Sequence, residues 1–159
     1  MSDPFVSIVL YGPPRGKGRP RTRVVQSNGG RAFATVFTDK STREYEDALK
    51  KAGVHAMAGR PHLDEPVSVM VLAYMPVPES WSRKKREIAL AGGIVPEGGI
   101  DLDNIVKMID GLNYHPKRHK LDREKRPIIW RNDSQIVALQ ARKMYSDQPR
   151  LEIHVWKWG

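Results

Sequence analysis

The stretch Pro66-Val67-Ser68-Val69-Met70-Val71-Leu72-Ala73-Tyr74-Met75 is the part of the sequence that most directly indicates the fold. Apolar side chains occupy both alternating sets of positions, as is typical of a strand that is covered on both faces near the centre of a sheet. The run ends at Pro76-Val77-Pro78, where proline removes backbone donors. We therefore predict a central strand over residues 66 to 75.

Further short apolar runs predict the other strands. Residues 5 to 11 form one run, and residues 136 to 145 and 151 to 158 alternate apolar with polar side chains. Residues 22 to 37 contain two runs on either side of Ser27-Asn28-Gly29-Gly30, and Asn and Gly tolerate the positive φ of hairpin turns. We predict a β-hairpin there.

Helical spacing is clearest after Ser41-Thr42-Arg43-Glu44, which matches the capping-box pattern at a helix start. Apolar residues then recur every three or four positions until Gly59 and Pro61 end the run. A short basic helix is predicted over residues 80 to 90. The length suits a single domain over residues 1 to 159, and we expect a mixed α+β fold with helices packed on a β-sheet.

The overall charge is strongly positive, with 27 Lys and Arg against 18 Asp and Glu, which gives a formal net charge of +9. Such a charge favours nucleic acid or an anionic surface as partner, although a merely soluble basic protein would share it. Cysteine is absent from the sequence, which excludes disulfides, thiolate metal sites and a cysteine nucleophile. No apolar run approaches the ~18 residues of a membrane span, so we expect a cytoplasmic protein with no membrane partner.

The segment Asp101-Leu102-Asp103-Asn104 opens a short apolar-periodic segment that carries Lys107 and Asp110. In an extended approach to a helix, Asp101 and Asp103 point to the same side and could share one cation. The spacing of 103, 107 and 110 predicts that Lys107 and Asp110 lie on the Asp103 face. A simpler interpretation is a helix cap followed by an ordinary Asp-Lys pair.

A third carboxylate is Asp133, which lies where a loop enters a predicted strand and could instead form an Asx turn. Three carboxylates without a thiol favour Mg²⁺, with Mn²⁺ as a possible substitute, over zinc. A calcium-binding EF-hand loop does not match, because Ile105, Val106 and Leu112 occupy positions where it needs an oxygen ligand, Gly and Glu.

The segment Gly12-Pro13-Pro14-Arg15-Gly16-Lys17-Gly18 is superficially similar to a P-loop. It is one residue too short, and Gly18 replaces the Ser or Thr that would hold Mg²⁺, so no nucleotide cofactor is expected. Cations alternating along an extended loop can instead follow nucleic-acid phosphates, unless the loop is simply solvated and disordered. Together with the basic segment over residues 113 to 131, the predicted DNA contacts are Arg15, Lys17, Arg19, Arg21, Arg23, Lys117, Arg118, Lys120 and Arg126.

The motif from Asp101 to Lys107, followed by Asp110-Gly111-Leu112 and Asn132-Asp133-Ser134-Gln135, resembles the RusA family of Holliday-junction resolvases. The family pattern is Asp-x-Asp-Asn-x-x-Lys, then Asp-x-Leu, then Asp-Asp-x-Gln. The resemblance implies a RusA-like fold in which Asp101, Asp103 and Asp133 are the metal-binding catalytic carboxylates and Lys107 is the essential basic residue beside them.

The same resemblance implies a Mg²⁺-dependent homodimer, bacterial or phage-encoded, that makes paired cuts in four-way DNA junctions during recombination and repair. Two other functions fit the residues alone. One is a non-catalytic basic DNA-binding protein, in which Asp101 and Asp103 only cap a helix. The other is a nuclease that uses the same carboxylates on other branched DNA or on RNA.

Overall fold

The structure of the protein is a computed structural model that describes residues 2–115, 118–119, 121 and 123–159. Helices and strands occur together, which confirms the mixed α+β class. In chain order the elements are β1 (Val6–Tyr11), β2 (Arg21–Gln26), β3 (Ala32–Phe37), α1 (Lys40–Met57), β4 (Val67–Pro76), α2 (Arg83–Leu90), α3 (Leu102–Val106), a 3₁₀ segment (Lys107–Leu112), a 3₁₀ turn (Asp133–Gln135), β5 (Ile136–Ser146) and β6 (Arg150–Lys157).

The main sheet has four strands in the order β1-β6-β4-β5. Strand β4 lies between two neighbours, antiparallel to β6 and parallel to β5, so the predicted central strand is confirmed. Its residues Val67, Val69 and Val71 are at most 1% exposed and belong to the hydrophobic core. The alternate residues of β4 that precede Met75 are half-buried on the other face.

Helix α1 and the 3₁₀ segment pack into this core, and Leu49 and Leu112 are both fully buried. The two elements approach closely at Gly53, where an added Cβ atom would lie 2.8 Å from Cδ2 of Leu112. Because a side chain at position 53 would overlap Leu112, glycine allows the segment after the acidic motif to rest on α1.

The start of α1 differs from the predicted capping box. The N-cap is Asp39, whose side chain accepts a hydrogen bond from the backbone N–H of Thr42, at 3.1 Å. Ser41 lies inside the helix and donates to the same carboxylate at 2.5 Å, so the prediction of Ser41 as the cap was wrong. Hydrogen bonds from the Ser41 and Thr42 hydroxyls hold the pKa of Asp39 well below its usual range.

Strands β2 and β3 form a separate two-stranded antiparallel sheet, which confirms the predicted hairpin. Their register pairs Arg21 with Phe37 at one end and Gln26 with Ala32 at the other. Gly30 in the connecting turn has φ +79°, a conformation that side chains with a Cβ rarely adopt. Every residue of both strands is exposed.

Within the described ranges, no helix combines the length and the apolar character that crossing a bilayer demands.

Candidate functional site

Asp101 is the N-cap residue of α3, with extended backbone angles of φ −64° and ψ 137°. Its side chain makes no capping hydrogen bond, and it has no other hydrogen bond or ion pair with the residues that the structure describes. Asp103 follows in the first turn and is exposed. The carboxylate of Asp101 is therefore available to a ligand and is not occupied as a helix cap.

Asp103 forms the predicted pair with Lys107, and 2.9 Å separates Oδ2 of Asp103 from Nζ of Lys107. The same ammonium group also donates to Oδ1 of Asn104 at 3.4 Å. The hydrogen bond from Lys107 lowers the pKa of Asp103 below its usual value. Asp103 is thus kept ionised, with a cation beside it, at the surface of the protein.

The loop between β1 and β2, residues 12–20, contains Arg15, Lys17 and Arg19 and is called here the basic loop. It packs directly onto the acidic segment at the start of α3. The backbone N–H of Lys17 donates to the carbonyl of Asn104 at 2.8 Å. An added Cβ atom at Gly16 would lie 2.5 Å from Cγ2 of Ile100 and 3.0 Å from Cβ of Asn104. The residues Gly16 and Lys17 are therefore docked on the start of α3, in contrast to the disordered loop that the sequence left open.

A pocket of about 330 Å³ lies between the basic loop, the start of α1 and the approach to α3. It brings the guanidinium-bearing Arg15 and the acidic Asp101 to one site, although they are far apart in the sequence. Its lining residues are Arg15, Gly16, Lys17, Gly18, Ser41, Thr42, Gly99, Ile100, Asp101 and Asn104.

Lys17 has a structural contact that the sequence did not indicate. Its Nζ lies 3.0 Å from Oδ2 of Asp110 and 3.2 Å from Oε1 of Glu46. Burial by itself would lower the pKa of Lys17, but the hydrogen bonds and charges of Asp110 and Glu46 outweigh it and raise that pKa. The contact between Lys17 and DNA stays a prediction. In addition, Lys17 joins three segments of the chain through these two ion pairs.

The four arginines between residues 15 and 23 differ from Lys17. Within the described part of the chain, no ion pair includes Arg15, Arg19, Arg21 or Arg23. Lys117 and Lys120 lie outside the described residues. Arg118 is exposed, and Nε of Arg126 lies 4.0 Å from Oε2 of Glu124.

Asp133 begins the 3₁₀ turn before β5, and its Oδ1 accepts a hydrogen bond from Nε1 of the buried Trp130 at 3.1 Å. The cap of this turn is Asn132, whose side chain accepts from the N–H of Ser134. The side chain of Asn132 therefore forms the Asx turn that was considered for Asp133.

The structure places Asp133 and Asp101 near opposite ends of β5. Asp133 precedes Ile136, the first residue of β5, whereas Nζ of Lys143 donates to the carbonyl of Ile100, next to Asp101, at 3.0 Å. The strand from Ile136 to Lys143 extends about 23 Å at 3.3 Å per residue. Consistently, no three His, Asp or Glu side chains of the described ranges are grouped so that they could hold one metal ion.

The donor atoms at the start of α3 nevertheless suit a hard cation. Asp101 and Asp103 supply carboxylate oxygens, and both residues are exposed. Magnesium is commonly held by one or two carboxylates and completes its octahedral coordination with water and substrate phosphates. The two residues therefore fit Mg²⁺ in chemistry, without the third carboxylate that the sequence led us to expect beside them.

Fold and site together define a basic α+β protein in which exposed carboxylates lie beside a cationic loop. The profile of the family described as Endodeoxyribonuclease RusA matches residues 11–156. The chain belongs to this family of DNA endonucleases, as the motif resemblance predicted. One relative, an uncharacterized protein called YqaN from Bacillus subtilis (strain 168), is 32% identical over 155 residues, which cover 94% of each chain.

Sequence reasoning missed Glu46 and Asp39, two carboxylates of α1 and its cap that contact the basic loop. Glu46 pairs with Lys17, and an added Cβ atom at Gly18 would lie 2.7 Å from Oδ1 of Asp39. Neither residue belongs to a recognisable local motif. The clearest signal in the sequence was the alternation of Gly16 and Gly18 with cations, which is compatible with close backbone packing.

Proposed function

We propose that this chain is a Mg²⁺-dependent, structure-selective endonuclease that resolves four-way DNA junctions by paired phosphodiester hydrolysis in recombination and repair. Family membership over residues 11–156 supports the endonuclease chemistry. The observation that carries the proposal is the shared pocket of Arg15 and Asp101, in which a phosphate-binding cation lies near an available carboxylate. A helix-capping role does not account for the carboxylate of Asp101, because that side chain makes no capping hydrogen bond.

Asp101 and Asp103 would hold the cation, for which Mn²⁺ could substitute. When bound, the divalent ion supplies Lewis-acid stabilisation of the negative charge that develops on the scissile phosphate. Lys107 keeps Asp103 ionised and adds a fixed positive charge beside it. Removing the charge of Lys107 is therefore expected to weaken the stabilisation of the phosphate.

The exposed arginines would bind phosphates along the DNA arms and contribute a salt-dependent affinity. Arg15 and Arg19 flank the docked part of the loop, and Arg21 and Arg23 continue the cationic series into β2. Arg118 and Arg126, with Lys117 and Lys120, would supply a second contact region. Contacts with the backbone alone favour recognition of DNA shape over base sequence.

A homodimer would present two identical sites to the two symmetric strands of a junction. Because Asp133 lies near the far end of β5 from Asp101 within one chain, we place Asp133 of one subunit in the site of the other. Mixing Asp101→Asn subunits with Asp133→Asn subunits tests this arrangement. Restored single nicks in the mixture support the placement, whereas an inactive mixture with demonstrated subunit exchange contradicts it.

The main experiment measures cleavage of a labelled synthetic four-way junction and of a linear duplex of matched sequence, each with Mg²⁺ or EDTA. Wild type should nick the junction in pairs only with Mg²⁺, and Asp103→Asn should bind the junction at least as tightly without cutting it, since a negative charge is lost. Junction binding without cleavage in any condition would instead identify a DNA-binding protein. Preferential cleavage of a matched RNA would identify an RNA nuclease.

A further inference from the structure

The hairpin formed by β2 and β3 has two chemically different faces. Side chains alternate along a strand, and paired residues of neighbouring strands share a face. The register therefore places six side chains of the hairpin on one face and the other six on the opposite face. The first set, called here the arginine–phenylalanine face, consists of Arg21, Arg23, Val25, Phe33, Thr35 and Phe37. The second set, called the aliphatic face, consists of Thr22, Val24, Gln26, Ala32, Ala34 and Val36.

The aromatic rings of the arginine–phenylalanine face are open to solvent. Phe33 is 53% exposed and Phe37 is 42% exposed. An isolated two-stranded hairpin is only marginally stable in water, and its exposed rings gain little until a partner covers them. Both rings are therefore accessible to a partner on this face.

The charges on the hairpin indicate an anionic partner. Residues 15–38 include six Lys or Arg and no Asp or Glu. Among the described residues, Arg21 and Arg23 take part in no ion pair and no cation–π contact, so their charges remain uncompensated. Aromatic rings interleaved with unpaired arginines suit nucleic acid, in which bases stack on rings and phosphates bind guanidinium groups.

The position of the hairpin links this face to the candidate site. Strand β2 starts three residues after Gly18, which lines the pocket of Asp101, and β3 ends two residues before Asp39. Gly18 and Asp39 are in close contact, so both strands leave from the rim of that pocket. Phe37 and Arg21 form the base of the hairpin and lie nearest to the rim.

We propose that the arginine–phenylalanine face is a base-stacking surface that engages unstacked bases at a DNA branch point, with Phe33 and Phe37 against the bases and Arg21 and Arg23 on the adjoining phosphates. This inference rests on the proposed function, because it assigns the hairpin to the same DNA substrate. Bases at a branch point are more easily unstacked than those in a duplex, so the face contributes to selectivity for branched DNA.

The test compares dissociation constants for a four-way junction and for a linear duplex, measured by fluorescence anisotropy without cleavage in EDTA. The double variant Phe33→Ile/Phe37→Ile removes the rings and puts apolar, β-branched side chains that suit a strand in their place. We expect its affinity for the junction to fall about tenfold or more, as for one lost stack, while its affinity for the duplex changes less than about twofold. Phe33→Tyr/Phe37→Tyr should retain the preference.

Val24→Thr/Val36→Thr is the matched control, because it reduces the apolar surface of the aliphatic face, where both valines are exposed, and keeps the β-branched shape. Its junction-to-duplex ratio should equal that of wild type. Arg21→Gln/Arg23→Gln should weaken binding to both DNAs and reduce the slope of log K against log[salt] by about 1.8, at about 0.9 for each phosphate contact.

Full junction preference in Phe33→Ile/Phe37→Ile would overturn the stacking surface and leave the proposed function intact if wild type still cleaves the junction. A shift of this variant from dimer to monomer in sedimentation velocity, with the ratio unchanged, would identify the face as a subunit interface and also overturn the proposal. If wild type neither binds the junction more tightly than the duplex nor cleaves it, both proposals are rejected together.

Discussion

The ammonium nitrogen of Lys17 lies 3.0 Å from a carboxylate oxygen of Asp110, which is 93 residues later in the chain. With Glu46 of α1 on its other side, Lys17 joins the basic loop, the first helix and the 3₁₀ segment that continues from the acidic motif. These ion pairs fix the position of the cationic loop relative to the carboxylate segment that borders the same pocket. The charge of Lys17 is thus partly compensated inside the protein.

Lys17→Met should lower the free energy of unfolding by about 1 to 2 kcal/mol, between the values typical of exposed and buried ion pairs, because two carboxylates lose their partner. Urea denaturation measures this change. Because the charge of Lys17 is partly compensated inside the protein, Lys17→Met should reduce the salt slope of DNA binding by less than the change of about 0.9 expected for Arg15→Gln. An equal loss of slope in both variants would show that Lys17 contacts a phosphate as fully as Arg15 does.

Gly16→Ala should destabilise the docked loop, since the new methyl group would lie 2.5 Å from Cγ2 of Ile100. Overpacking of this kind costs about 1 to 3 kcal/mol, and cleavage should fall because the start of α3 is displaced. Gly98→Ala is the control in the same region, because its Cβ meets nothing within 4 Å. Thermal unfolding and cleavage rates of both variants check the prediction, which fails if the two variants behave alike.

Asp133 can be tested separately as a structural and as a chemical group. Asp133→Ala removes the acceptor of the buried Trp130 indole N–H, and the unpaired donor should cost about 1 to 3 kcal/mol in unfolding free energy. Asp133→Asn keeps an acceptor oxygen and should stay close to wild type in stability while losing cleavage. Wild-type cleavage by Asp133→Asn would restrict the role of Asp133 to supporting Trp130.

Lys107→Met should raise the pKa of Asp103 back towards the ordinary aspartate value of about 3.9, because the hydrogen bond that lowers it is removed. Titration of the Asp103 carboxyl carbon by NMR measures the shift directly. The lowered folded-state pKa means that the pair contributes stability above the unfolded-state pKa and loses it as the pH falls through the folded-state pKa. The stability difference between Lys107→Met and wild type should therefore disappear in acid.

Local sequence signals were sufficient where one segment determines its own conformation. The apolar run over residues 66 to 75, the Asn-Gly turn of the hairpin and the four-residue spacing of Asp103 and Lys107 all act within a few residues, and each prediction was confirmed. The prediction of a helix cap at Ser41 was wrong because Asp39, two residues earlier, accepts the hydrogen bonds of the Thr42 N–H and the Ser41 hydroxyl. Neighbouring candidate cap residues differ too little in how much they stabilise a helix for a sequence pattern alone to separate them.

Residue order alone was enough to predict the acidic motif, the family, the strand segments and a net charge of +9 that favours nucleic acid or another anionic partner. The folded chain was needed to find that Lys17 meets Asp110, that the basic loop borders the pocket of Asp101, and that Asp133 lies near the other end of β5. Periodicity and turn chemistry act over only a few residues, so they do not report such contacts. Contacts between distant segments follow from the strand order β1-β6-β4-β5 and the packing of helices on that sheet.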